Sequence, residues 1–234
     1  AAQRGKIMKF ASQLWEKMLW IEHSCYCRKR RRRLKATDFT IIASNCIGTI
    51  MYHDMGLEFK TPTVNLTIGM PDLVKMAGNL RWYMEQELVE CTAQGSCPTG
   101  LLGDIRVNFV HYDSFAEGKK KWEERRRRIN WDRIVLVGAD RDECDDEVLQ
   151  AFDRLPWPNK LLFTHKDYPE FPSAVYITGF EERPTLGNVL SYRPQMLKRR
   201  YLDEFDYVSF LNGTVPTTGL EGVGTNGPAE GPLL

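Results

Sequence analysis

"FTIIASNCIGTIMYHDMG", residues 39–56, decides how the chain is read. Its first half, Phe39 to Ser44, is an unbroken apolar run, as expected of a strand covered on both faces. From Ile47 the apolar residues take helical spacing and stop at Gly56, a residue type suited to closing a helix. A buried strand opening directly into a helix is the unit of an α/β sheet. The join, Ser44-Asn45-Cys46-Ile47-Gly48, puts an amide, a thiol and a glycine at the helix N-terminus.

The alternation continues along the chain. "TPTVNLTI" (61–68), "LGDIRVNFVHY" (102–112), "DRIVLVGAD" (132–140), "NKLLFTHK" (159–166) and "SAVYITGF" (173–180) read as further strands. Between them, 70–88, 114–129 and 144–155 read as helices, started by Pro71 and Asp72, by Ser114, and by an acidic turn. The expected fold is a three-layer α/β/α sandwich around a mixed, largely parallel sheet. Three zones follow: residues 1–37, an amphipathic helix plus basic segment; 38–210, the α/β body; and 211–234, a Gly/Pro-rich stretch without aromatics that reads as a disordered tail.

Composition narrows the function classes. The chain has 234 residues, 42% of them hydrophobic and 27% charged, with a formal net charge of +1. That balance gives no global field for a polyanion, so no nucleic-acid partner is expected. The basic residues are instead clumped at Arg28 to Arg33 and Arg125 to Arg128. The second run reads as a solvated helix face. The first follows a helix in which Phe10, Leu14, Met18 and Ile21 share one stripe, a pattern that fits an interfacial membrane anchor or a helix packed on the body. No run approaches the roughly 20 apolar residues of a membrane span, and the apolar segment precedes the basic cluster, the reverse of a signal peptide. Six cysteines (25, 27, 46, 91, 97 and 144) match neither a zinc pair-of-pairs nor a small disulfide scaffold; they read as mostly reduced and intracellular, with Cys91 and Cys97 a candidate local pair.

The chemistry-bearing residues gather at strand ends, where open α/β sheets bind ligands. Asn45 and Cys46 follow the first strand, His111 the third, Asp140, Arg141 and Asp142 the fourth, His165 and Lys166 the fifth. Cys46 has three readings: a nucleophile favoured by the helix N-terminus, a non-nucleophilic part of a ligand site, or a small buried hydrophobe. In the first, Asn45 donates to an oxyanion, Gly48 allows close approach of substrate, and His111 or His165 is the base. His53 lies two turns along the helix and fits poorly as a partner. Asp140 and Asp142 form a D-R-D triplet of the kind that holds Mn²⁺ or Mg²⁺ on a sugar-nucleotide diphosphate, with Arg141 and Lys166 beside the substrate.

Taken together, "FTIIASNCIG…YHDMGLEFKTPTVNL", "LGDIRVNFVHYDSF…KKKWEERRRRINWDRI" and "KLLFTHKDYP…AVYITGF" resemble an uncharacterised bacterial family whose members are commonly labelled exopolysaccharide or capsular polysaccharide biosynthesis proteins. The resemblance spans about residues 38–182 and implies an α/β/α fold and a place in surface-glycan assembly. Two positions depart from the family pattern: Ser44-Asn45-Cys46 stands for S-N-N-C, and "DRDEC" for D-R-D-G-C. The expected function is a cytoplasmic transferase, at the inner face of the membrane, that moves a glycosyl or acyl group from a sugar nucleotide or acyl donor onto a glycan acceptor. The alternatives are a non-catalytic glycan- or nucleotide-binding accessory protein and a Cys/His hydrolase.

Overall fold

A computed structural model describes residues 2–92, 95–194 and 197–214, with the side chains of residues 2–12 excepted. Residues 215–234, most of the stretch expected to be disordered, lie outside the described residues. A long helix α1 (Ala2–Arg33) leads into β1 (Thr40–Ala43) and α2 (Ile47–Met55). Then come α3 (Met70–Gly78), α4 (Leu80–Glu85), β2 (Leu88–Glu90), β3 (Thr99–Leu102), β4 (Ile105–Asn108) and α5 (Phe115–Arg126). The chain continues through β5 (Ile134–Ala139), α6 (Asp146–Asp153), β6 (Lys160–Thr164), β7 (Ala174–Tyr176), a 3₁₀ turn (Tyr201–Glu204) and α7 (Tyr207–Leu211).

The main sheet has the order β1-β5-β6-β7, all parallel, and β2-β3-β4 form a separate antiparallel sheet. The α/β class expected from the sequence holds. Period-two side-chain alternation splits the apolar residues of the main sheet between two cores. Ile42, Ile134, Leu136 and Leu162 face one side, packed with residues of α3, α5, α6 and the antiparallel sheet. Ile41, Ala43, Val135, Val137, Leu161 and Phe163 face the other, against α2, α7 and the 3₁₀ turn. Each such fully buried Ile, Leu or Phe contributes roughly 1.5–3 kcal/mol.

Several expected elements differ. Residues 61–68 do not ladder onto β1. Pro62 lacks an N–H, Asn65 turns left-handed at φ 60, and the Thr63 hydroxyl takes over by accepting from Ala43 N at 3.1 Å. The segment still bridges both sheets: Ile68 N donates to Ser44 O, and Thr67 pairs with Asn108. The strand expected over 102–112 is the second arm of a hairpin turned at Gly103 (φ 62), outside the parallel sheet. The helix expected over 70–88 breaks between Gly78 and Asn79, and all six cysteines, Cys91 and Cys97 included, are unbridged.

The N-terminal helix buries a different stripe from the apolar one. Leu14, Trp15, Met18 and Ile21 are exposed, whereas His23, Tyr26, Cys27 and Arg30 face the body at i, i+3, i+4, i+7 spacing. Arg30, 1% exposed, is stacked 3.9 Å from the Tyr207 ring centroid and donates to Asp203 and to Phe205 O. Arg31 donates to the Asp54 and His53 carbonyls at the end of α2, where a cation is favoured by the helix dipole. Arg33 pairs with Asp206 at 2.5 Å. The basic run is therefore helical and partly structural. The second run is likewise pinned: Arg125 to Tyr112, Arg126 to Glu123 and the Met84 carbonyl, Arg128 to Glu58.

Candidate functional site

The carboxyl ends of β1 and β5 open onto a cavity of about 280 Å³. Asn45, Cys46, Thr67, His111, Arg141, Asp142 and Asn188 line it, with Ile47, Val110, Leu186, Val189 and Leu190 as the apolar part of the wall. Five separate segments supply these groups. The volume suits a small ligand or one group of a larger one.

The β1–α2 join is built by local hydrogen bonds. Ser44 N extends the β1 ladder to Val137 O. Asn45 Oδ1 accepts from Ile47 N at 3.0 Å, capping the start of α2, which leaves the Asn45 NH₂ as the group able to meet a ligand. Cys46 is the N-cap residue and is half-buried; burial pushes its thiol up, and it makes no hydrogen bond to a histidine. Gly48 does not line the cavity. A Cβ there would lie 2.9 Å from Ala43 Cβ and 3.0 Å from Ile41 Cγ2, so the glycine lets α2 lie flat on β1.

Asp140, at the end of β5, is the organiser behind the cavity. Its Oδ2 accepts from the backbone N–H of His165 at 2.9 Å and from the His165 ring Nδ1 at 2.5 Å. Its Oδ1 accepts from Leu186 N at 2.9 Å. One carboxylate thus ties β5, the end of β6 and the 186–190 loop that walls the cavity. Burial holds Asp140 above the usual carboxylate range, against the N–H donors that pull it down. The His165 ring is buried with Nδ1 against this carboxylate, and its Nε2 has no hydrogen-bond partner among the described residues. Asp140 and His165 therefore sit behind the wall, while Asn45, Cys46, His111, Arg141 and Asp142 sit on it. Lys166 is exposed and is not among the lining residues.

The turn after β5 is conformationally unusual. Asp142 (φ 56) and Glu143 (φ 70) both adopt left-handed backbone, a costly choice for two successive non-glycine residues. The turn is held because Asp142 O accepts from Met70 N at 3.0 Å and Arg141 Nε pairs with Asp142 at 3.1 Å. Among the described residues Asp140 and Asp142 are not part of a group of three ligating side chains. Sequence reasoning missed Thr67 and the 186–190 loop. The Gly187-Asn188 pair beyond the last strand was the available signal for the loop.

Residues 19–212 match the family described as Domain of unknown function (DUF1919). The chain belongs to that family. The match begins inside α1 and takes in the basic run, so the second half of the helix, which lies outside the resemblance, is within the family unit. The chain is also similar to an uncharacterized protein of Haemophilus influenzae: 37% identical over 185 residues, covering 79% of this chain and 89% of the relative. Among the described residues, no helix of this DUF1919 protein is long and apolar enough to cross a membrane.

Proposed function

We propose that this chain is a transferase of surface-polysaccharide assembly that takes the donor in the cavity at the carboxyl edge of the sheet. One observation carries this reading: Asn45, His111, Arg141, Asp142 and Asn188 converge there from separate segments beside an apolar wall. Arg141 would face the anionic part of a sugar-nucleotide donor, and His111 would take the proton of an acceptor hydroxyl. A Mn²⁺ or Mg²⁺ ion on the diphosphate would meet Asp142, since Asp140 is buried, turned to the N–H groups of His165 and Leu186, and does not line the cavity. Glycosyl transfer is favoured over acyl transfer or hydrolysis through Cys46, because burial disfavours the Cys46 thiolate. The same disfavoured thiolate, with His165 buried behind the wall, supports a second reading: a non-catalytic glycan- or nucleotide-binding protein. The exposed Leu14, Trp15, Met18 and Ile21, followed by exposed Arg28, Lys29 and Arg32, support a seat at the inner face of the membrane.

The test is a thermal-shift screen of the full chain across sugar nucleotides and acyl-CoA, with and without Mn²⁺. A donor at 100 times its Kd stabilises by about 2.7 kcal/mol. Arg141→Ala should lose that shift, while His111→Ala should keep binding and lose turnover. Binding without turnover in the unaltered protein selects the accessory reading. No shift with any donor removes both.

A further inference from the structure

A second cavity, of about 400 Å³, lies between α1, the end of α2 and the segment around Arg200. His23 and Cys27 stand one turn apart on the inner face of α1, with Cys27 Sγ 3.6 Å from His23 Nε2. His23 Nδ1 lies 2.9 Å from the carbonyl oxygen of Lys198. A carbonyl only accepts, so Nδ1 carries the proton and Nε2 presents its lone pair to Cys27. Asp54, from the last turn of α2, brings a carboxylate to the same point: the ligating atoms of His23, Cys27 and Asp54 all lie within 4.8 Å of one another, and all three residues are buried.

We propose that His23 Nε2, Cys27 Sγ and a carboxylate oxygen of Asp54 are the three protein ligands of a divalent metal ion of the zinc class, its fourth position open to this cavity. The donor set of nitrogen, sulfur and oxygen fits a borderline-soft ion and not Mg²⁺ or Ca²⁺, which take oxygen. Geometry agrees. With metal–sulfur and metal–nitrogen bonds of about 2.3 and 2.05 Å, a tetrahedral site places S and N about 3.6 Å apart. Three protein ligands plus one open position is the form of a site that binds or activates something, whereas a purely structural zinc is closed by four.

The surroundings are those of a metal centre. The Lys198 carbonyl orients the imidazole from behind, as such ligands require. Asp54 is itself held: its Oδ2 accepts from Arg200 and from the Tyr207 hydroxyl at 2.9 Å, while Oδ1 takes a single long bond of 3.4 Å from Arg200 and keeps a lone pair for a metal. Arg200 does not leave the site with an uncompensated cation, since Asp203 also accepts from it at 3.0 Å. Without metal, burial pushes the Cys27 thiol up to about 11, and burial, the largest effect, also lowers His23, which keeps the imidazole neutral. On binding, the Cys27 S–H bond breaks, its proton leaves to solvent and the S–metal bond forms; no electron changes hands. Thiolate and carboxylate then balance the divalent charge.

The test uses the full chain, freed of metal with a chelator and titrated with Co²⁺. One equivalent should produce a thiolate-to-cobalt charge-transfer band in the near ultraviolet and intense visible bands of tetrahedral cobalt, both bleached by Zn²⁺. Cys27→Ser should abolish the charge-transfer band, and the exposed neighbour Cys25→Ser should leave it. His23→Gln should weaken Co²⁺ binding by more than about 10-fold. Asp54 is left untouched, because its loss would remove the buried hydrogen bonds it accepts from Arg200 and Tyr207 and confuse binding with folding. A wild-type chain, folded by circular dichroism, that shows no charge-transfer band overturns the proposal. So does a band that survives Cys27→Ser.

Discussion

Replacing Asp140 by Asn tests whether one carboxylate organises the wall of the carboxyl-edge cavity. In the native protein three N–H donors converge on it: two from His165 and one from Leu186. An asparagine offers one acceptor oxygen. If that oxygen stays with Leu186, its NH₂ faces both donors of His165. The imidazole can move its proton to Nε2 and accept from the new amide, so that contact is recovered without its charge. The backbone N–H of His165 cannot turn away, and a buried donor left unpaired costs about 1–3 kcal/mol. Losing a hydrogen bond to a charged group adds roughly another 1 kcal/mol, and removing a carboxylate that burial disfavours returns part of it. The expected loss is about 2–3 kcal/mol, which a domain of ordinary stability survives folded. Urea unfolding should show a lower midpoint at unchanged m-value. In a double-mutant cycle with His165→Gln the coupling should reach about 1 kcal/mol or more. A loss under about 0.5 kcal/mol, or single-mutant effects that simply add, would refute the reasoning.

Gly48→Ala should destabilise by about 1–2 kcal/mol, because a Cβ 2.9 Å from that of Ala43 overpacks the helix–strand contact and outweighs the helix propensity gained. Ala43→Gly in the same chain should recover part of the loss, measured by the same unfolding assay, and a stabilising Gly48→Ala would show the contact is not tight. For the cysteines, iodoacetamide labelling followed by mass spectrometry should find exposed Cys25 fastest. Cys46 should be slower, and Cys27 and Cys144, with thiols pushed up to about 11 and about 12 mainly by burial, slowest near neutral pH. A raised thiol pKa means the thiolate appears only as pH rises, so the Cys46 rate should still be climbing above the ordinary range of about 8.5. A Cys46 that labels faster than Cys25 at pH 7 would revive the nucleophile.

The parallel sheet was legible because its strands, 40–43, 134–139 and 160–164, are covered on both faces and so are written as apolar runs bounded by turn residues. Residues 61–68 carry the same signal without the ladder. What separates them is Pro62 and a left-handed Asn65, one visible in sequence and one not. The short β2 and β3 were missed for a different reason: their pairing is with each other and β4, and neither has enough apolar length to register alone.

The two cavities differ in how they could be read. Residues at the carboxyl edge are close to strand ends in sequence, so a rule about open sheets finds Asn45, Cys46, His111, Arg141 and Asp142 together. That rule cannot tell the lining from the layer behind it. Asp140 and Asp142 differ by two positions, yet the first points its carboxylate at buried N–H groups and the second turns through a left-handed backbone into the open. The α1 cavity escapes any hydropathy argument. Its buried stripe is His23, Tyr26, Cys27 and Arg30, and an arginine can sit at 1% exposure only because Asp203, the Phe205 carbonyl and the Tyr207 ring all wait for it some 175 residues away. Polarity at a helix position predicts solvent when no partner exists, and partners that distant are not visible in a window of one helix. The His23-x-x-x-Cys27 spacing was the one local clue, because residues one turn apart on a helix share a face whatever that face meets.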